Sequence, residues 1–214
     1  MRSNASISTR THRRRCGAAN TRFERCKRAI DVIAALIGLV AVLPLLAACA
    51  IWIRLRDNGP VLYSQWRVGR DGVLFRIYKL RTMRVDAERD GARWASEHDP
   101  RIVPGCHWMR RSHIDELPQL WNILIGDMSL VGPRPERPEM IEQLRMHIPR
   151  IDKRFLCTPG LTGLAQLRNG YTNDIVGARR KQLYDLQYLR RRTLKQDLRL
   201  MLETIPRVWD HAAL

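Results

Sequence analysis

Two adjacent carboxylates, Asp115 and Glu116, follow a pair of arginines in the segment Arg110-Arg111-Ser112-His113-Ile114-Asp115-Glu116-Leu117-Pro118. Neighbouring cations favour the ionised form of such acids, and two hard oxygen donors side by side could bind a divalent metal. A structural reading stands beside it: acids in the first turn of a helix stabilise the positive end of its dipole. Upstream, Lys79 and Arg81 stand two residues apart. On a strand, alternation puts Phe75, Ile77, Lys79 and Arg81 on one face, with same-face neighbours about 7 Å apart. Two such cations could hold two phosphates, or could be surface charges beside an acidic bilayer. Downstream, Pro133-Arg134-Pro135 stiffens the backbone on both sides of an arginine, which reduces the ordering cost of aiming a guanidinium at a phosphate.

The elements that must position these groups are legible as patterns. Gly59-Pro60 marks a turn, after which VLYSQWRVG and VLFRIYKLRTM read as two strands around the turn Arg70-Asp71-Gly72. Residues Val85 to Glu97 read as a polar helix ended by His98-Asp99-Pro100. Ser112 with Asp115 has the form of a capping box, Pro118 suits a first turn, and Leu117, Leu120, Trp121 and Leu124 supply an apolar helical face. Gly126 to Pro135 reads as a Gly/Pro-rich loop, and Thr158 to Gly163 as a second rigid loop after an amphipathic helix carrying Ile141, Leu144 and Ile148. A basic amphipathic helix is expected over Arg179 to Ile205, suited either to an anionic leaflet or to core packing with a solvated face.

Ahead of this region lies a different kind of chain. The 214 residues carry a formal charge of +17, and nine Lys/Arg fall between Met1 and Arg28 against the single acid Glu24, which reads as a basic, disordered tail over 1–28. Val32 to Ile53 then runs for 22 residues without a charge, about 33 Å as a straight helix and close to the thickness of a bilayer core. Basic residues flank both ends, and Lys/Arg favour the cytoplasmic side. Pro44 removes a backbone donor and divides the run into two limbs. The expectation is a re-entrant helix–break–helix over 29–56 that enters one leaflet and returns, with Trp52 as an interfacial anchor; the alternatives are a kinked spanning helix and a buried helix of a soluble protein. The five cysteines form no CxxC pair, which argues against a disulfide framework and a structural zinc site. The fold class expected is α/β: a small membrane-associated catalytic domain over 57–214 with amphipathic surface helices.

The segments GPVLYSQWRVG, FRIYKLRTM, IDELPQLWNILIGDMSLVGPRPE and TPGLTGLAQ, in that order, resemble the monotopic phosphoglycosyl transferases, also called bacterial sugar transferases. The resemblance runs from about Lys27 to Trp209. It implies transfer of a sugar 1-phosphate from a UDP-sugar to polyprenyl (undecaprenyl) phosphate at the inner leaflet of the cytoplasmic membrane, releasing UMP and starting exopolysaccharide or related glycan assembly. By the same resemblance Asp115 and Glu116 form the catalytic dyad, with Asp115 as nucleophile through a covalent phosphosugar intermediate. Both acids are implied as ligands of Mg²⁺, and Lys79, Arg81 and Arg134 as phosphate contacts. The family's re-entrant membrane helix agrees with the flanking charges.

This chain departs from the family pattern in places. Leu43 rather than Ser precedes Pro44, Pro104-Gly105-Cys106-His107 stands where relatives often have Arg-x-Gly-Arg, and Leu164 replaces a frequent Trp. Larger relatives precede the domain with spanning helices, so a minimal enzyme is expected here. The phosphate-binding patterns GxGxxG and GxxxxGK[ST] are absent. A nucleic-acid binder would suit the charge, but aromatics do not interleave with the cations and an apolar anchor has no use there. A membrane-anchored scaffold is a further reading. The sugar, and whether a homo-oligomer forms, are open.

Overall fold

The computed structural model describes residues 21–89, 99–169 and 174–206. The uncharged run folds as part of one long helix, α1 (Thr21–Arg56), which begins ahead of the boundary drawn at residue 28 and carries Pro44 inside its assigned span. Its length and composition suffice to cross a membrane. Ile33, Ile37, Val40, Leu43, Ile51 and Leu55 are exposed along it. Most of the expected basic tail lies outside the described residues.

One stripe of α1 faces the rest of the chain. Lys27, Asp31, Ala35, Cys49 and Ile53 are buried, and Leu39, Val42 and Leu46 are half-buried, a spacing of three to four residues that keeps one helical face inward on both sides of Pro44. Polar clamps fasten the first turns. Lys27 Nζ donates to Asp197 Oδ2 at 2.7 Å, the Arg28 guanidinium donates to the carbonyls of Ile123 and Leu124, and Asp31 Oδ1 accepts from the Leu130 N–H at 3.0 Å. Farther along, Trp52 Nε1 donates to the Gly105 carbonyl at 3.0 Å, and Arg56 lies 4.6 Å over its ring. The Pro104-to-His107 segment therefore secures the end of α1.

After α1 the chain forms an antiparallel hairpin of β1 (Leu62–Val68) and β2 (Leu74–Leu80), with Tyr63 opposite Lys79 and Arg67 opposite Phe75. Phe75 and Ile77 point inward, as alternation requires. Val85 to Arg89 make turns rather than the expected helix, whose remaining span lies outside the described residues. Helix α2 (His107–Arg111) is followed by a 3-10 turn (Ile114–Glu116) and α3 (Gln119–Ile125). The expected capping box does not form. His113 takes a left-handed conformation (φ 54°) to reverse the chain, and the Ser112 hydroxyl donates backward to the Trp108 carbonyl at 2.7 Å.

Two segments expected as loops contain strands. β3 (Ser129–Val131) pairs in parallel with β4 (Gly160–Thr162), downstream of α4 (Pro138–His147) and a 3-10 helix (Ile151–Leu156). The pairing needs close backbones: a Cβ on Gly160 would stand 2.0 Å from the Gly132 nitrogen. After α5 (Leu164–Asn169), the span Arg179 to Ile205 expected as one helix is divided between α6 (Ile175–Arg191) and α7 (Leu194–Thr204). Thr193 separates the last two, its hydroxyl accepting from the Gln196 N–H at 3.1 Å as an N-cap. Tyr188 and Leu200 are buried with Val131, Cys157 and Leu167, while Leu183, Leu198 and Leu202 are exposed. The cysteines among the described residues are free.

Candidate active site

Asp115 and Glu116 occupy the 3-10 turn between α2 and α3 and are 6% and 8% exposed. Lys79 reaches them from β2: its Nζ donates to Glu116 Oε1 at 2.6 Å. Arg134 grips the same carboxylate as a fork, Nη1 to Oε2 at 3.0 Å and Nη2 to Oε1. Residues far apart in sequence, Lys79, Asp115, Glu116 and Arg134, thus meet at one point. The fork is fixed from behind, because the Arg134 carbonyl accepts from Arg154 Nη2 at 2.8 Å and the Pro135 carbonyl accepts from Arg67 Nη1 at 3.3 Å. Arg154 is itself buried, paired with Asp185 at 3.1 Å and with Glu136 at 3.7 Å.

The two acids differ sharply in environment. Burial pushes the Asp115 carboxyl up to about 6, with Lys79 pulling the other way. Burial acts on Glu116 too, but the Arg134 guanidinium and Lys79 ammonium outweigh it and hold that carboxyl well below its usual range. Among the described residues no hydrogen bond or ion pair reaches the Asp115 carboxylate. The site therefore presents one unbonded carboxylate next to one gripped by two cations, an arrangement able to attack a phosphorus and hold phosphate charge. A model of the bacterial sugar transferase family matches residues 22–211.

The chain belongs to the bacterial sugar transferases. This transferase is 40% identical over 179 residues to a UDP-N-acetylgalactosamine-undecaprenyl-phosphate N-acetylgalactosaminephosphotransferase of Aeromonas hydrophila, covering 84% of the chain and 42% of that protein. It is 40% identical over 182 residues to a UDP-glucose:undecaprenyl-phosphate glucose-1-phosphate transferase of Caulobacter vibrioides, covering 84% and 68%. An exopolysaccharide production protein of Rhizobium leguminosarum is 37% identical over 188 residues, covering 84% and 92%. The chain thus spans less than half of the Aeromonas protein and most of the Rhizobium one.

Not every cation expected at the transferase site is there. Arg81 is 4% exposed and committed elsewhere: Nη1 donates to Asp57 Oδ2 at 2.5 Å, and Nε donates to the Pro60 carbonyl. It ties β2 to the end of α1. Alternation put Arg81 on the face of Lys79, but a strand pattern carries no information about Asp57, which waits where that strand ends. Arg110, one of the two arginines expected to favour the ionised acids, lies close enough to Asp115 to do so, and its Nη1 donates to Thr82 Oγ1 at 3.4 Å.

Gln119 is the residue that the sequence pattern did not single out. It is 1% exposed, and neither its amide oxygen nor its nitrogen has a partner among the described residues. Three residues before it Glu116 bonds Lys79; three residues after it Asn122 accepts from the Tyr78 N–H at 3.1 Å and donates to the Arg76 carbonyl at 2.7 Å. Its side chain therefore belongs to the helical face that lies along β2.

As metal ligands, the two acids suit magnesium better than zinc. No cluster of three or more His, Cys, Asp or Glu that could hold a metal occurs among the described residues. Magnesium is commonly held by one or two carboxylates together with waters and substrate phosphates, a role open to Asp115 directly and to Glu116 once Lys79 and Arg134 release its oxygens.

Proposed function

We propose that this transferase moves a sugar 1-phosphate from a UDP-sugar to polyprenyl phosphate, undecaprenyl phosphate in bacteria, as an initiating step of exopolysaccharide or related glycan assembly. The observation that carries this reading is the buried Asp115 carboxylate, without a bonding partner among the described residues, beside a Glu116 gripped by Lys79 and Arg134. An Asp115 oxygen attacks the sugar-proximal phosphorus, the bond from that phosphorus to the UMP oxygen breaks, and UMP leaves. An oxygen of the lipid phosphate then attacks the same phosphorus and the Asp115 carboxylate departs, leaving a diphosphate-linked sugar. A carboxylate suits this role because its acyl phosphate is reactive, so one hard displacement becomes two easier ones. Lys79 and Arg134 hold phosphate oxygens. Asp115 and Glu116 would hold a magnesium ion, which would supply positive charge to offset repulsion between the anionic nucleophile and the diphosphate.

The reading includes a site for the reaction at the cytoplasmic leaflet of the inner membrane. Inward-facing residues of α1 pack on the same domain before and after Pro44, and basic residues flank both ends of the apolar run, which supports a re-entrant helix with both ends on the cytoplasmic side. The test is release of UMP from a UDP-sugar by the purified protein. Release should require both a divalent cation and polyprenyl phosphate for repeated turnover, and Asp115→Asn should abolish it without lowering the thermal unfolding midpoint, because the amide removes a carboxylate whose ionisation burial opposes. Normal turnover by Asp115→Asn would refute the covalent route.

A further inference from the structure

The two cations at the dyad are already engaged by an anion. Glu116 Oε1 accepts from Lys79 Nζ at 2.6 Å, Oε2 accepts from Arg134 Nη1 at 3.0 Å, and Arg134 Nη2 closes the fork. A carboxylate held by a guanidinium fork and an ammonium presents what two oxygens of a phosphate would present to the same donors. The main chain that carries each cation is anchored. Lys79 sits in a paired strand opposite Tyr63, and Arg134 is set between two prolines with its carbonyl bonded to buried Arg154. Glu116 reaches them from a three-residue 3-10 turn.

We propose that Glu116 is an internal stand-in for a substrate phosphate: it fills the Lys79–Arg134 seat until a nucleotide phosphate displaces it, which frees its carboxylate for a divalent cation beside Asp115. This rests on the transferase reading above and adds to it a coupling between two ligands. A phosphate arriving alone must evict a carboxylate that is 8% exposed and leave it without a counter-charge next to Asp115, which is costly. A cation arriving alone finds the Glu116 oxygens already taken. Arriving together, the ligands exchange partners with the protein and no buried charge is stranded. Each therefore strengthens the other's binding by the same factor, as linkage requires.

The experiment is a binding titration of UMP onto the full chain in detergent, in chelator and in saturating magnesium, for the wild type and for Glu116→Gln. The neutral amide competes poorly for the two cations, so UMP in chelator should bind Glu116→Gln tenfold or more tighter than wild type, although the variant has lost turnover. In wild type, magnesium should tighten UMP binding tenfold or more; this arm needs no variant and stands even if Glu116→Gln fails to fold. Wild-type UMP affinity indifferent to magnesium, or metal-free affinity no tighter in a folded Glu116→Gln, would overturn the inference while leaving the transferase reading in place. Absence of UMP binding to wild type in every condition would overturn both.

Discussion

Replacing Arg134 by lysine keeps the charge at the dyad and removes the fork. Arg134 makes two charge-assisted bonds to the Glu116 carboxylate, one through each terminal nitrogen. Bonds of this kind are worth about 1.5–3 kcal/mol each, and an ammonium at that position can direct a single good donor along the same axis. The net loss is one bond of about 2 kcal/mol, or about 30-fold at about 1.4 kcal/mol per tenfold. If the same fork holds phosphate oxygens in the transition state, kcat/KM for UMP release should fall about 30-fold in Arg134→Lys, and further, by about 10³, in Arg134→Met. Stability should fall by no more than that one bond to Glu116, about 2 kcal/mol. The contacts that fasten this loop, from Arg154 to the Arg134 carbonyl and from Arg67 to the Pro135 carbonyl, use the main chain and survive the substitution. Glu116 keeps Lys79 as a partner. Initial rates across UDP-sugar concentration at saturating polyprenyl phosphate, with thermal unfolding alongside, measure both effects. An Arg134→Lys enzyme within twofold of wild-type kcat/KM would refute the assignment of this fork to the substrate.

Other consequences are independent of the first. Burial opposes ionisation of Glu136, but Lys181 and Arg154 outweigh it, so the folded carboxyl titrates below the ordinary value of 4.5 that it has in the unfolded chain. A depressed folded value means stability present above pH 4.5 and lost as pH falls. Glu136→Gln should therefore cost about 3 kcal/mol at neutral pH and flatten the acid limb of a denaturation series, whereas an unchanged acid slope would contradict the pairing. Gln119→Leu should stabilise the ligand-free protein by about 1 kcal/mol, because it removes a buried amide with no partner among the described residues; a lower unfolding midpoint would show that the amide is satisfied. For topology, single cysteines placed at the exposed positions Arg25 and Leu55 should react with an impermeant label only from the cytoplasmic face of membrane vesicles, and labelling from opposite faces would exclude the re-entrant arrangement.

Much of the site was legible because its signals are local. The alternation that placed Phe75, Ile77 and Lys79 on one face holds in β2, the adjacent acids stand in one turn, and the stiff Pro-Arg-Pro segment does aim its guanidinium at an anion, although that anion is Glu116. What was missed depends on partners distant in sequence. Nothing in Phe75 to Arg81 indicates Asp57, and nothing in Arg154 indicates the carbonyl of Arg134 or the carboxylate of Asp185. The β3–β4 pair escaped because each strand has three residues and the glycines that allow their approach read locally as turn formers. The break before α7 escaped because the basic, apolar repeat continues across it, leaving only the Thr193 cap as a sign. At Ser112 a local motif misled, since a hydroxyl three residues before an acid has an equally good acceptor in the preceding turn.

The most direct measurement is mass spectrometry of the intact protein and its peptides after incubation with a UDP-sugar and magnesium in the absence of lipid acceptor. A mass increase of one sugar phosphate on the peptide containing Asp115, discharged when polyprenyl phosphate is added, is the predicted result. An unmodified Asp115 peptide in an enzyme that still forms lipid-linked product under matched conditions would contradict the account.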